Sequence, residues 1–216
     1  MRHAVPTPTD DPLPLAQPHA SVNTGAAMPA TAPPPVPLRD DAIAAFDALL
    51  HEIHPDAPRV DQARVQALCR WLVSLPPQAA RDVLERRLRR LEELRAMLAD
   101  PDWNTDPALA ARVRKLLAYL DQDDDLIPDR QPLLGKLDDV LLLELAWPAC
   151  AVEMEEYGDF RAYRQDEHPA GDGATRRAAW LRDRLAEIAL WRHRLRVHTG
   201  HYAPSGATFS ELFHVA

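Results

Sequence analysis

Proline most constrains what this chain can fold into, because each one removes a backbone donor and crowds the preceding helical turn. Ten of the twenty-one prolines lie in residues 1–37, and most of the others stand between apolar runs spaced at three and four residues. Helices bounded by prolines are therefore the expected units. The predicted fold class is all-α, a helical bundle behind a disordered proline-rich tail over residues 1–38. That tail, rich in Pro, Ala, Thr and Ser, lacks both helix donors and core side chains. Its run Pro33-Pro34-Pro35-Val36-Pro37 favours polyproline II and is read as a spacer.

Residues 39–100 read as a helical hairpin region. A first helix starts at Asp40 or Asp41 as cap, carries Ile43, Phe46, Leu49, Leu50 and Ile53, and ends at His54-Pro55 and Pro58. A second, Val60 to Leu75, places Val65, Leu68, Cys69 and Leu72 on one stripe with Trp71 beside it, and Pro76-Pro77 stops it. The third, Gln78 to Asp100, puts Val83, Leu84, Leu88, Leu91, Leu94 and Leu98 on a heptad-like seam, with arginines on a solvated face. It is expected to pair antiparallel with the second.

Asp106-Pro107 has the cap-then-proline form that opens a helix, here bearing Leu109, Val113, Leu116, Leu117 and Leu120. It leads into an acidic turn, Tyr119 to Asp139. Another helix leaves from Leu137 through Leu141, Leu145 and Val152 towards Tyr157, kinked or divided at Pro148. Gly158 and Gly171-Asp172-Gly173 are expected to loosen the chain. Residues 168–216 hold a basic last helix and a short tail. Thr175 is expected to cap that helix, and Trp180, Leu181, Leu185, Ile188, Leu190, Trp191 and Leu195 to form its buried side up to Val197. Phe209, Leu212 and Phe213 are expected to make a short docking turn.

Hydrophobic content of 46% with 27% charged residues supports a real core. The net charge of -8 argues against a general nucleic-acid binder, which usually carries a basic surface. That charge is unevenly spread. Residues 121–167 hold fourteen acids against four basic residues, whereas residues 176–198 hold seven arginines against Asp183 and Glu187. Cys69 and Cys150 lie apart without metal-ligand spacing, which suits a reducing cytoplasm and buried thiols. Met1-Arg2-His3 is followed by proline and polar residues, with no apolar signal-peptide core. The run Val140 to Val152 is interrupted by Glu144 and Pro148 and is too short for a transmembrane segment.

The acidic turn is the candidate site. Asp121, Asp123 and Asp125 have the spacing with which an EF-hand begins, but Leu126 stands where its glycine belongs and Pro132 where its bidentate glutamate belongs. A less regular divalent-cation site, that of a metal-binding domain or a metal-dependent enzyme, is the alternative, with Asp125, Asp129, Asp138 and Asp139 as its ligands. Capping is the preferred reading: Asp125 caps a short turn, Pro128 sets direction, Gly135 takes an unusual backbone angle, and Asp138 and Asp139 occupy the next helix's first turn. Leu126, Ile127, Leu133, Leu134 and Leu137 anchor the loop inward. His193, His198, His201 and His214 cluster late in the chain without zinc-ligand spacing. No nucleophile elbow surrounds Ser205 or Ser210. The five tryptophans are expected in the core or at helix junctions.

At the turn, Asp125-Leu126-Ile127-Pro128-Asp129, Pro132, Gly135 and Leu137-Asp138-Asp139 resemble the signature of the YkvA-like family, domain of unknown function 1232. Glu144 and Glu156-Tyr157-Gly158-Asp159-Phe160-Arg161-Ala162-Tyr163-Arg164 continue the resemblance, which covers residues 107–164 of a core set at 101–167. It implies a small helical domain and carries over no reaction, cofactor or catalytic residue. Some relatives carry long apolar helices and are considered membrane-associated. Here Arg130 stands where an apolar residue is common, and Glu144, Glu153, Glu155 and Glu156 cut the following segment. The expected function is a cytoplasmic interaction or scaffold protein with a protein partner. Its expected contact surfaces are the third helix and the last helix, either of which can also make a homo-oligomer. Peripheral membrane contact through the basic last helix is the weaker alternative.

Overall fold

The computed structural model describes residues 13–14, 36–122, 126–128 and 130–200, with side chains to 198. Among them are seven α-helices, one 3-10 turn and no strand, so the fold is all-α. The helices are α1 (Asp40–Ile53), α2 (Gln62–Ser74), α3 (Pro77–Ala99), α4 (Pro107–Leu120), α5 (Leu137–Ala146), α6 (Ala151–Glu167) and α7 (Gly173–Gly200). Two compact units divide the chain, Met1–Ala162 and Tyr163–Ala216.

In the first unit α5 is the central element, packed by α1, α3 and α4. Nine of its ten residues are buried, as a helix apolar on every side requires. Phe46 and Leu50 from α1, Leu68 and Leu72 from α2, and Leu94 and Met97 from α3 join Val113 and Leu116 from α4 in the same core. Each such side chain contributes roughly 1.5–3 kcal/mol of transfer free energy on burial.

Helix starts follow the sequence only in part. Asp106 accepts from the Ala108 and Leu109 amides, each at 2.9 Å, so the Asp106-Pro107 start is as expected. At α1 the cap position is Arg39, and Asp40 and Asp41 lie inside the first turn, where their charge meets the helix dipole. Asp61 caps α2 through the Arg64 amide at 2.8 Å. Pro77 itself is the first residue of α3, where no amide donor is needed. On α3 the buried stripe is Ala80, Leu84, Arg87, Leu94 and Met97, while Val83, Leu88, Leu91 and Leu98 are half-buried. The rotation arises because α3 packs chiefly on α5, with α2 a lesser neighbour.

Pro148 divides the helical run, as expected, into α5 and α6 joined by the 3-10 turn Trp147–Ala149. Val152 is not core but 71% exposed, because that break re-aims the helix that follows. Gly158 does not loosen the chain and lies within α6, with nothing within 4 Å of where a Cβ would stand. Gly158→Ala is therefore expected to stabilise the protein by roughly 0.5–1 kcal/mol, read as a small rise in thermal midpoint.

Of the expected tail, Leu13 and Val36 are buried, and the Val36 carbonyl accepts from Gln66 Nε2 at 2.6 Å. Phe209, Leu212 and Phe213 lie outside the described residues.

In the second unit Asp172, not Thr175, caps α7, accepting the Thr175 amide at 2.8 Å. Gly171 has φ +100°, and a Cβ there would stand 2.8 Å from Thr175 Cγ2, so only glycine fits. The predicted buried side of α7 reduces to Trp180, with Arg184 over its ring at 5.3 Å. Leu181, Leu185, Ile188, Leu190, Trp191, Leu195 and Val197 are all exposed.

Candidate functional site

Three carboxylates interrupt the apolar surface of α5: Asp138, Asp139 and Glu144. A carboxylate taken out of water must be matched by donors or cations, so each demands an account.

Asp138 is fully buried in the first turn of α5. Its Oδ2 accepts from the Ile127 amide at 3.0 Å and from the Tyr119 hydroxyl at 3.2 Å. That hydroxyl in turn accepts from the Leu126 amide at 3.3 Å. One carboxylate thus ties the end of α4, the Leu126-Ile127 turn and the start of α5 together. Tyr119 is held in place by an edge-on contact with Phe46, ring centroids 5.7 Å apart. Asp139, 2% exposed, pairs with Lys136 Nζ at 3.3 Å.

Asp125 and Asp129, the other two residues of the expected cation site, lie outside the described residues. Among the described residues no group of three or more His, Cys, Asp or Glu is placed to hold a metal ion. His193 and His198 are on α7, and His201, Ser205, Ser210 and His214 lie outside the described residues. Leu126, Ile127 and Leu137 point inward as expected, with Leu133 and Leu134 half-buried. The unusual backbone angle falls on Leu133, φ 70°, and not on Gly135. Gly135 instead donates its amide to the Gln131 carbonyl at 3.0 Å and is buried.

Glu144 faces α3. Its Oε2 takes Arg87 Nε at 2.5 Å, and the pair is nearly sealed, with side chains 4% and 10% exposed. Arg87 Nη1 also donates to the Val83 carbonyl at 3.1 Å, which fixes the guanidinium against its own helix. The second oxygen, Oε1, accepts from the Leu13 amide at 2.5 Å, 131 residues away in sequence. Sequence reasoning missed this pair. The signal was present: Arg87 falls on the stripe of Leu84 and Leu94, Glu144 falls in the run Val140 to Ala146, and their charges are opposite.

A shallow groove of about 350 Å³ opens between α3 and the turn before α5, lined by Arg81, Leu84, Glu85 and Leu88 and by residues 130–133, 135 and 136. Arg130 and Lys136 give it a positive lining despite the acidic sequence around them. Elsewhere Trp103 stacks among Tyr157 and Phe160 at 5.6 and 5.4 Å, and its Nε1 donates to Glu153 at 2.9 Å. Burial holds the Glu153 carboxyl above the usual range, opposed by that bond. Trp71, Trp103 and Trp147 pack half-buried on the core, as expected, whereas Trp191 is exposed.

Burial pushes the Cys69 thiol up to about 11, assisted by the charge of Asp138, and pushes Cys150 up to about 11 as well. Neither is a nucleophile near neutral pH. Both are expected to resist a thiol-disulfide reagent at pH 8 in the folded protein and to react promptly in denaturant, which a colorimetric thiol count checks.

No helix among the described residues is long and apolar enough to cross a membrane. Comparison with protein-family models, with curated proteins and with solved structures finds no match in any of the three.

Proposed function

We propose that the protein is a non-catalytic helical interaction protein of the YkvA-like type, working in the cytoplasm and engaging a protein partner through α7. The observation that carries this reading is the exposed apolar stripe of that helix. With 3.6 residues per turn, Leu181, Leu185, Ile188 and Leu195 fall on one side with Trp191 beside them. They are 50, 57, 39, 50 and 53% exposed. Exposed apolar surface of this extent on one element marks a contact surface.

Charge selects the partner. Seven arginines against two acids favour an acidic amphipathic helix over a second copy of α7. Arg192 falls inside the stripe itself and is exposed. Lipid tails would have to take up its guanidinium group there, whereas a protein surface can set a carboxylate against it.

A photo-crosslinking residue at Leu185 tests the reading in cells. The expected result is a discrete adduct whose partner presents an acidic helix, lost on Ile188→Glu and weakened at high salt. A monodisperse chain by light scattering, with no adduct from position 185, overturns it. Flotation of the purified chain with anionic vesicles at low salt would move the assignment to a membrane surface.

A further inference from the structure

We infer that the groove between α3 and the turn before α5 is a binding site for a small phosphate monoester, an oxyanion carried on a compact apolar body. Arg81 lines it from α3, and Arg130 and Lys136 line it from the facing turn, with Glu85 the one acid of the lining. Leu84, buried, and Leu88 and Leu133, half-buried, supply its apolar surface. Its volume of about 350 Å³ lies at the lower end of the range for small-ligand sites, about 300–1,000 Å³.

The turn wall is built before any ligand arrives. The Gln131 amide donates to the Pro128 carbonyl at 2.9 Å, the Gly135 amide to Gln131 at 3.0 Å and the Leu137 amide to Leu134 at 2.9 Å, so backbone bonds fix the turn along its length. Leu133 holds φ 70° among them, a conformation that residues with side chains rarely adopt, and strained residues of this kind gather at ligand sites. Lys136 is held in turn by buried Asp139, with Nζ 3.3 Å from Oδ2. A wall fixed in this way lowers the ordering cost of binding.

Donor chemistry selects the anion. Lys136 shares its charge with Asp139, so recognition falls to the two guanidinium groups, one from each wall. Each is a planar fork of donors that takes two oxygens at once. A carboxylate has two oxygens and satisfies one fork, whereas the three terminal oxygens of a phosphate monoester serve both. Its charge of about −1.5 to −2 near neutral pH also suits a lining in which three cations face one acid. The leucines call for an apolar group on the phosphate, because an inorganic ion leaves their surface in water. All of the lining belongs to the first unit, so the site stands whether or not α7 engages a partner.

The test is a titration of the full-length, isotope-labelled chain with phenyl phosphate, followed through its amide resonances, with benzoate, inorganic phosphate and benzyl alcohol as comparisons. Phenyl phosphate is expected to give saturable shifts at residues 81–88 and in the turn, and to bind at least about tenfold more tightly than any of the other three, which lack the third oxygen, the apolar body or the charge. Arg81→Glu and Arg130→Glu, both at exposed positions, are each expected to weaken it about tenfold or more while the thermal midpoint holds. No saturable shift by about 10 mM overturns the proposal. So do shifts confined to α7, equal binding of benzoate, inorganic phosphate or benzyl alcohol, or an affinity that both charge reversals leave unaltered.

Discussion

Arg87→Met is expected to destabilise the protein by roughly 3–5 kcal/mol, the range for breaking a buried ion pair by removing one partner. Methionine fills most of the volume of the arginine stem, so the loss arises from electrostatics more than from a void. Glu144 would remain almost enclosed between α3 and α5 with no cation opposite it. The second half of the expected result is a rescue. Arg87→Met/Glu144→Leu removes both charges, and well-packed apolar replacements of buried pairs are often neutral or stabilising. Against that stands the Leu13 amide, which loses its acceptor at a cost of about 1–3 kcal/mol if it stays buried. The double variant should therefore recover at least half of what the single variant loses. Urea unfolding of wild type, both single variants and the double variant forms the cycle that measures this coupling. A single variant within about 1 kcal/mol of wild type would place the pair in effective contact with solvent.

The same pair shows where sequence reading succeeds on this chain and where it stops. Proline positions and three-four spacing were enough for six helical runs, the fifth of which Pro148 divides into α5 and α6, since a proline break is a local matter of donors and φ angles. Asp106-Pro107 and Pro148 act as their chemistry dictates. Rotation of a helix about its axis is not local. On α3 the expected seam is displaced because α5 is the main neighbour, and that neighbour begins 38 residues beyond the end of α3. On α7 periodicity gave the stripe but could not say that the stripe faces outward: Leu185 reads the same in a core and on an interface.

The candidate site divides along the same line. The first-turn placement of Asp138 and Asp139 was legible from Leu137-Asp138-Asp139, because acids favour helix N-termini. The burial of Asp138 was not, since it depends on Tyr119 and Ile127 arriving from α4 and the turn. Gly135 attracted the unusual backbone angle as glycine should, yet Leu133 adopts it, its half-buried side chain offsetting a cost of about 1–2 kcal/mol. Leu13 was hidden altogether, because composition describes a tail as a whole and says nothing of one residue in it that finds a socket.

Asp138→Ala is the second substitution expected to act strongly, with a loss of roughly 3 kcal/mol. The Ile127 amide, buried and donating to Asp138 at 3.0 Å, would lose its acceptor, and the Tyr119 hydroxyl would lose its own. Unsatisfied buried donors cost about 1–3 kcal/mol each, with partial relaxation reducing the sum. Asp138→Asn separates a clamp from a cation ligand. The amide oxygen can still accept from Ile127 and Tyr119, so a clamp predicts a loss below about 1 kcal/mol. A ligand predicts instead that wild type gains melting temperature with calcium, magnesium or manganese and that the asparagine variant does not, because selective binding to the folded state stabilises it. The clamp also predicts the position of the damage. Hydrogen exchange in Asp138→Ala should rise first at Leu126 and Ile127 and at the start of α5, the segments that the one carboxylate joins, while α1 and α2 keep their protection until global unfolding.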